Sequence, residues 1–366
     1  MATQTIKDIA DCLESLAPLS YQEDYDNSGL ITGNPDDTVT GILISLDCTE
    51  AVVDEAIKTS CNLIIAHHPI LFKGLKKLTG RTYVERVIIK AIQHRIAIYA
   101  IHTNLDNVIT GVNKKIATKI GLKNLQILHP KKDLMKLVTF IPKDQAESVT
   151  AKLHQAGAGQ IGNYKNCSFS VAGEGRFTPS DGANPAKGAI NQSEKVEEAR
   201  IEVIFPANLK HKILAGLRES HPYEEVAYYV SELQNENQEA GAGIVGELEV
   251  PEDALAFLNR LKTTMNTGCI RHTKVTCSTV RKVAVCGGAG SFLLSKAIAR
   301  GADIFISADF KYHEFFDAED KIIVADIGHY ESEQFTKELI GEFLREKFPT
   351  FAIAFSKVVT NPISYL

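Results

Sequence analysis

Three short segments of the chain carry residue types that hold transition metals. They are Ala66-His67-His68-Pro69, His102-Thr103-Asn104-Leu105-Asp106-Asn107 and Gly328-His329-Tyr330-Glu331-Ser332-Glu333. Neutral imidazole combined with carboxylate suits Zn, Fe, Mn, Ni or Co. His329 and Glu333 are four residues apart, so on a helix they share a face. His67 and His68 would point to opposite sides of a regular strand. At a strand end turned by Pro69, both can reach one site. Asp106 and Glu333 each offer two oxygens, enough to bridge two cations that would otherwise repel at ~4 Å. His67, His68, Asp106, His329 and Glu333 are therefore the candidate metal ligands, for two divalent ions per chain with zinc as the leading choice. Two such ions can lower the pKa of water from ~15.7 toward ~7, which is hydrolase chemistry. His102 and His313 are candidate general acid/bases, because an unperturbed imidazole titrates near ~6.5. His102 can equally be a further ligand, and His313 a buried hydrogen-bonded residue.

Other features bear on the substrate. Lys73, Lys76 and Lys77 follow the first segment and could meet a phosphate, or form a solvated loop face. Gly287-Gly288-Ala289-Gly290 could cradle a phosphate, or simply make a tight strand-to-helix connection. A small phosphorylated ligand such as a nucleotide is the expectation. The competing reading is a non-enzymatic protein that binds or delivers metal, or that senses a metabolite.

Segments this far apart converge only if each leaves the same edge of a sheet, since ligands gather beyond the carboxyl ends of strands in open α/β sheets. The first part of the chain supplies such strands: Gly41 to Leu46, Leu63 to Ala66 and Ile96 to Ile101 are continuous apolar runs. Helices are expected over Glu50 to Lys58, Arg81 to Arg95 and Asn113 to Ile120, giving a mostly parallel sheet covered on both faces. The last part repeats that grammar, with strands Lys282 to Cys286, Asp303 to Ser307, Lys321 to Asp326 and Phe351 to Phe355. Its helices are Ser291 to Arg300 and Glu331 to Lys347.

The middle differs. Strands over Leu134 to Ile141, Cys167 to Phe177, Arg200 to Phe205 and Glu225 to Glu232, with helices Lys143 to Gln155 and Asn208 to Ser220, give the order β-α-β-β-α-β, a ferredoxin-like pattern. Thr178 to Ser193 reads as a loop rich in Gly, Ala, Pro and Asn. The fold expected is α/β: two halves, 1–127 and 236–366, forming one split metal-binding domain, with a ferredoxin-like domain, 128–235, inserted between them.

Bulk composition agrees with a chain of this kind. Its 366 residues, 44% hydrophobic and 23% charged, suit a globular protein of two or three domains. A net charge of −5 supplies no global field for nucleic acid, which is not expected as a partner. No apolar run approaches a membrane span of ~18 residues, so no membrane partner is expected either. Met1 to Pro18 carries Asp8, Asp11 and Glu14 with Ile6, Ile9, Leu13 and Leu16 on one helical face, unlike a signal peptide. Seven cysteines without a C-x-x-C pair point to a reducing cytoplasm. Cys269, His272 and Cys277 match no zinc spacing and read as ordinary residues.

Taken with Asp26-Asn27-Ser28-Gly29-Leu30, AHHPILF at 66–72, GGAG at 287–290 and DFKYHE at 309–314, the three segments resemble the dinuclear-metal-centre family called NIF-three-like, also known as GTP cyclohydrolase I type 2 homologs. The motifs fall in the family's order across nearly the whole chain. The middle resembles the insert of the longer members, which is similar to PII and CutA-type domains. His221-Pro222-Tyr223-Glu224-Glu225 is its clearest signature. The resemblance implies metals held between two α/β halves by His67, His68, Asp106, His329 and Glu333, with His102 close by. It also implies a ring-shaped homohexamer, a dimer of trimers. One departure is Ser307-Ala308-Asp309, where many members have Thr-Gly-Glu.

Overall fold

The structure is a computed structural model that describes residues 4–366. It divides into two compact units, one running to Pro130 and resuming over Glu239–Leu366, the other Lys131–Gln238. Among the described residues, no helix is long and apolar enough to cross a membrane.

In the first unit four short strands are buried at every residue: Ile42–Ser45, Leu63–Ala66, Ala97–Ala100 and Ile323–Asp326. Such continuous apolar runs serve as strands only when both faces are covered. The first sheet orders Gly29–Thr32, Ala97–Ala100, Leu63–Ala66, Ile42–Ser45 and Ile353–Phe355, parallel except at the Gly29–Thr32 edge. Alternate residues face opposite ways. Leu43, Ile64 and Ile98 pack under the helices Glu50–Lys58 and Tyr83–Gln93. Ile42, Ile44, Leu63 and Ile65 enter a larger core, which also receives Val283, Val285, Ile304 and Ile306 from the second sheet. That sheet orders Arg271–His272, Ile323–Asp326, Ile304–Ala308, Thr279–Ala289, Asn237–Asp253 and Leu122–Lys131, and its three strands from 279 to 326 are parallel.

Four features depart from the sequence reading. The last strand, Ile353–Phe355, does not close the sheet of its own half; it joins the first sheet beside Ile42–Ser45. Leu122–Lys131 and Asn237–Asp253 are long strands of mixed burial, with no continuous apolar run to reveal them. The expected helix Glu331 to Lys347 is two helices, His329–Glu333 and Thr336–Lys347. The break lets Glu333 turn one way while Ile340 and Leu344 pack into the core. Ile6–Leu16 is a helix as its periodicity predicts, capped by Thr5 and Asp8, while Met1 to Thr3 lie outside the described residues.

The second unit runs strand Leu134–Pro142, helix Ala146–Gln155, strands Phe169–Phe177 and Glu194–Pro206, helix Lys210–Ser220 and strand Tyr228–Glu232. Its sheet is antiparallel throughout, ordered Phe169–Phe177, Glu194–Pro206, Leu134–Pro142, Tyr228–Glu232. Both helices cover one face, through Val149, Leu153, Ile213 and Leu217 on Leu137, Ile141, Ile201 and Phe205. The other face carries exposed Phe169, Val171 and Tyr229.

Candidate metal centre

Six strand ends in the first unit gather around one site, which opens on a cavity of about 620 Å³. Leu63–Ala66 delivers His67 and His68, Ala97–Ala100 delivers His102, and Ile323–Asp326 leads through Gly328 to His329. Ile42–Ser45 leads to Asp47, Ile304–Ala308 to Asp309, and Thr279–Ala289 ends at the glycine turn.

Each of four histidines is held by Nδ1. His67 Nδ1 lies 2.8 Å from the Ile101 carbonyl and His68 Nδ1 2.7 Å from Asp47 Oδ1. His102 Nδ1 is 2.7 Å from Asp26 Oδ1, and His329 Nδ1 2.6 Å from Asp309 Oδ2. Carbonyls and carboxylates only accept, so every Nδ1 carries a hydrogen and donates it. Every Nε2 is thereby aimed the other way. His68 Nε2 is 2.9 Å and His329 Nε2 3.1 Å from Glu333 Oε2, and the two Nε2 atoms are 3.3 Å apart. His67 Nε2 is 3.7 Å from Asp106 Oδ1 and 3.8 Å from Glu333 Oε1.

The donors fall into three overlapping sets whose ligand atoms lie within 4.8 Å of one another: His67, His68 and His102; His68, His329 and Glu333; His67, Asp106 and Glu333. Glu333 belongs to two of them. His67 Nε2 and Asp106 Oδ1 are buried with no hydrogen-bond partner. A buried polar atom without a partner costs roughly 1–3 kcal/mol. Here a lone pair faces a carboxylate oxygen, so neither can satisfy the other, and a cation bound to both satisfies each. The residues can hold a metal ion. The carboxylates behind the imidazoles are the usual outer support of metal-bound histidine.

Electrostatics point the same way. Burial disfavours a charged His68, but hydrogen bonds to Asp47 and Glu333 prevail and raise it to about 9. Burial opposes charge on His329 too, yet the Glu333 charge and the Asp309 bond carry it to about 11. Burial and the Glu333 charge push Asp106 up to about 7. Burial opposes ionisation of Glu333, and the clasp of His329, His67 and His68 overcomes it, keeping the carboxyl well below its ordinary range. Protons on imidazoles thus compensate a knot of buried negative charge, the task a bound cation performs. Cys286 lines the same cavity, and burial pushes its thiol far up, so it offers no thiolate.

The model of a family described as Duf34/NIF3 (NGG1p interacting factor 3) matches residues 4–362. The chain belongs to the Duf34/NIF3 family. It is 36% identical over 364 residues to the GTP cyclohydrolase 1 type 2 homolog of Halalkalibacterium halodurans, covering 98% of each chain. The Bacillus subtilis protein of the same name is 36% identical over 365 residues, again with 98% of each covered. Among solved structures, a Bacillus cereus protein related to NIF3 superimposes with a TM-score of 0.87 at 36% identity, covering all of both chains. A Staphylococcus aureus protein gives a TM-score of 0.79 at 30% identity, also over all of both. The family expected from the sequence motifs is the family found.

Within this Duf34/NIF3 fold, His67, His68, His102, Asp106, His329 and Glu333 come together, and His313 does not. His313 sits exposed in the turn Tyr312–Ala318, its ring against Tyr312 at 5.2 Å between centroids, and it does not line the cavity. Lys73, Lys76 and Lys77 are exposed and also off the lining, which contains no lysine or arginine. Two N–H groups of the glycine turn are already engaged. Gly287 N–H donates to Asn113 Oδ1 and Gly288 N–H to Ser332 Oγ, both at 2.9 Å. Its purpose is closeness: a Cβ on Gly288, whose φ is +62°, would stand 2.4 Å from Glu333 Oε1. Gly328 likewise has φ +91°, and a Cβ there would meet Glu331 Oε2 at 2.3 Å. Of the three supporting carboxylates, Asp26 and Asp309 stand in quoted motifs without an assigned contact, and Asp47 is the one that sequence reasoning passes over. Asp47 follows an apolar strand just as His67 does, and that placement was the available signal.

Proposed function

We propose that this chain is a metal-dependent hydrolase with a dinuclear centre, held by His67, His68, Asp106, His329 and Glu333. The supporting observation is the buried, partnerless pair His67 Nε2 and Asp106 Oδ1, both within reach of Glu333. Glu333 and Asp106 would hold the ions together with the imidazoles, and zinc is the ion that best matches imidazole and carboxylate in a compact set. Two bound divalent cations would supply Lewis-acid chemistry and activate water at neutral pH. His102 is the general acid/base: Asp26 fixes its Nδ1–H, leaving Nε2 to hold or move a proton beside the ligands. Tyr25, Phe72, Tyr83 and Phe292 supply apolar wall for a ring, and Thr360 and Asn361 border the mouth. The name borne by the relatives makes GTP the first substrate to try. The lining has no lysine or arginine, so a substrate phosphate would find no such side chain there.

The rest of the reading follows the same family. Residues 1–127 and 236–366 form the split metal-binding domain, 128–235 a ferredoxin-like insert, and the protein is a cytoplasmic homohexamer built as a dimer of trimers. The test is metal content per chain by mass spectrometry of untagged protein, followed by hydrolysis assays with the identified metal loaded. About two equivalents and turnover of GTP or another phosphorylated compound support the proposal. Metal that passes readily to a competing apo-protein, with no turnover, overturns the hydrolase and favours delivery. Absence of bound metal after reconstitution overturns the centre itself.

A further inference from the structure

The second unit has a cavity of its own, about 660 Å³, between the open face of its sheet and the Thr178–Ser193 connection. The residues that form its floor explain why it exists. Glu198 and Gly173 are cross-strand partners, and Gly175 pairs with Val196 one step along the same face. A side chain at Gly175 would collide with Glu198, its Cβ only 2.1 Å from Oε2, whereas a Cβ at Gly173 would meet nothing within 4 Å. Two glycines thus leave open space directly beside a carboxylate.

That carboxylate is unusual. Glu198 is 8% exposed, and its hydrogen bond comes from the Tyr223 hydroxyl at 3.0 Å. Among the described residues, no lysine, arginine or histidine forms an ion pair with it. Arg176, Lys187 and Arg200 line the cavity, and the two arginines are engaged by Glu174 at 2.8 Å and Glu202 at 2.7 Å. A buried carboxylate without a cation is costly.

The walls are aromatic and deliberately placed. Phe140 meets Tyr229 edge-on at 5.7 Å between centroids, and Phe177 meets Tyr223 at 5.9 Å. The His221-Pro222-Tyr223 segment, prominent in the sequence and unused by the metal site, sets two of these rings. His221 Nε2–H donates to the Phe140 carbonyl at 2.9 Å, and His221 Nδ1 accepts from the Tyr223 N–H at 3.1 Å. The covering loop is tied down where Asn184 N–H donates to Glu224 Oε1 at 2.8 Å.

We infer that this cavity is a second binding site, for a small organic cation — an amine or amidine on an apolar body — whose N–H groups pair with Glu198 while its body lies against Phe140, Tyr223 and Tyr229. Carboxylate and ring faces both attract such a cation, and aromatic enclosure strengthens the pairing by excluding water. The site shares no residue with the metal centre and does not depend on the hydrolase reading.

The test uses the full-length protein with benzamidine, phenethylamine and agmatine as probes, followed by ligand-observed NMR and titration. At least one should bind with a dissociation constant on the order of 1 mM or tighter, and neutral benzamide at least about tenfold more weakly than benzamidine. Glu198→Gln keeps an acceptor for Tyr223 and should weaken binding about tenfold or more. Gly173→Val grows into empty space, so it should abolish binding while leaving the melting temperature and metal content unchanged. Binding that is equal for benzamide, or indifferent to both substitutions in folded protein, overturns the inference. So does failure of all three probes to bind.

Discussion

The two cavities are nearly equal in size, about 620 and 660 Å³, and opposite in construction. The metal cavity gathers its groups from the ends of six strands in two sheets, and four imidazoles are fixed from behind. The other is one face of one sheet, where the decisive feature is the side chains that two glycines lack. In the first, precision comes from long-range convergence, so any lost support is felt at the centre. In the second, position comes from register within a single ladder, and the site can be filled or emptied with little cost to the fold.

Glu333→Ala should separate them most sharply. It removes a carboxylate that reaches His67, His68 and His329. Metal content should fall from about two equivalents to well below one, with affinity lost by more than about a hundredfold. Benzamidine binding in the second unit should not change. Asp309→Asn and Asp47→Asn each leave the ligands in place but loosen one imidazole, and competition titration should show affinity about 10–100-fold lower. Unaltered affinity in both would mean that the supporting carboxylates do not set the donors.

The glycines give a third contrast. Gly288→Ala forces a Cβ to 2.4 Å from Glu333 at a positive φ, and should cost about 2 kcal/mol or more by denaturant unfolding. Gly173→Ala enters open space on an extended strand and should change stability by less than about 0.5 kcal/mol. Equal effects would erase the distinction between the two floors.

Acidity supplies a fourth contrast. Without a cation, His68 and His329, raised to about 9 and about 11, both hold extra protons at pH 7. A cation must displace them, so affinity should rise with pH, by about tenfold per unit for each proton released. The cation-free protein should show the opposite trend. Stability contributed by a raised histidine is complete below its ordinary 6.5 and is lost as pH climbs through about 9 for His68. Unfolding curves of chelator-treated protein between pH 6 and about 10 check this sign. In the second unit no ligand imidazole is involved, and neither trend is expected there.

How far the sequence speaks differs between the regions for the same physical reasons. The metal segments were legible because each puts rare residue types just beyond an apolar strand, a local pattern. Asp47 escapes because a lone aspartate after a strand usually caps a helix or faces water. His313 is a candidate for its imidazole alone, and the turn Tyr312–Ala318 places it off the cavity lining. The break after Glu333 was hidden because helical periodicity continues across it. The aromatic cavity could not be read at all, since open space beside Glu198 depends on which residues face Gly173 and Gly175 across the ladder.

The placement of Ile353–Phe355 beside Ile42–Ser45 has a consequence for the order of assembly. Synthesis proceeds from the amino end, so the strands of the first sheet leave the ribosome some three hundred residues ahead of their partner, as the separation of positions 42 and 353 requires. Until then Ile42–Ser45 has an unpaired edge, the kind of exposed template that invites association with other chains. The half that emerges first is therefore finished last. Contacts of such long sequence separation slow folding, and this chain has reason to occupy chaperones during its own translation.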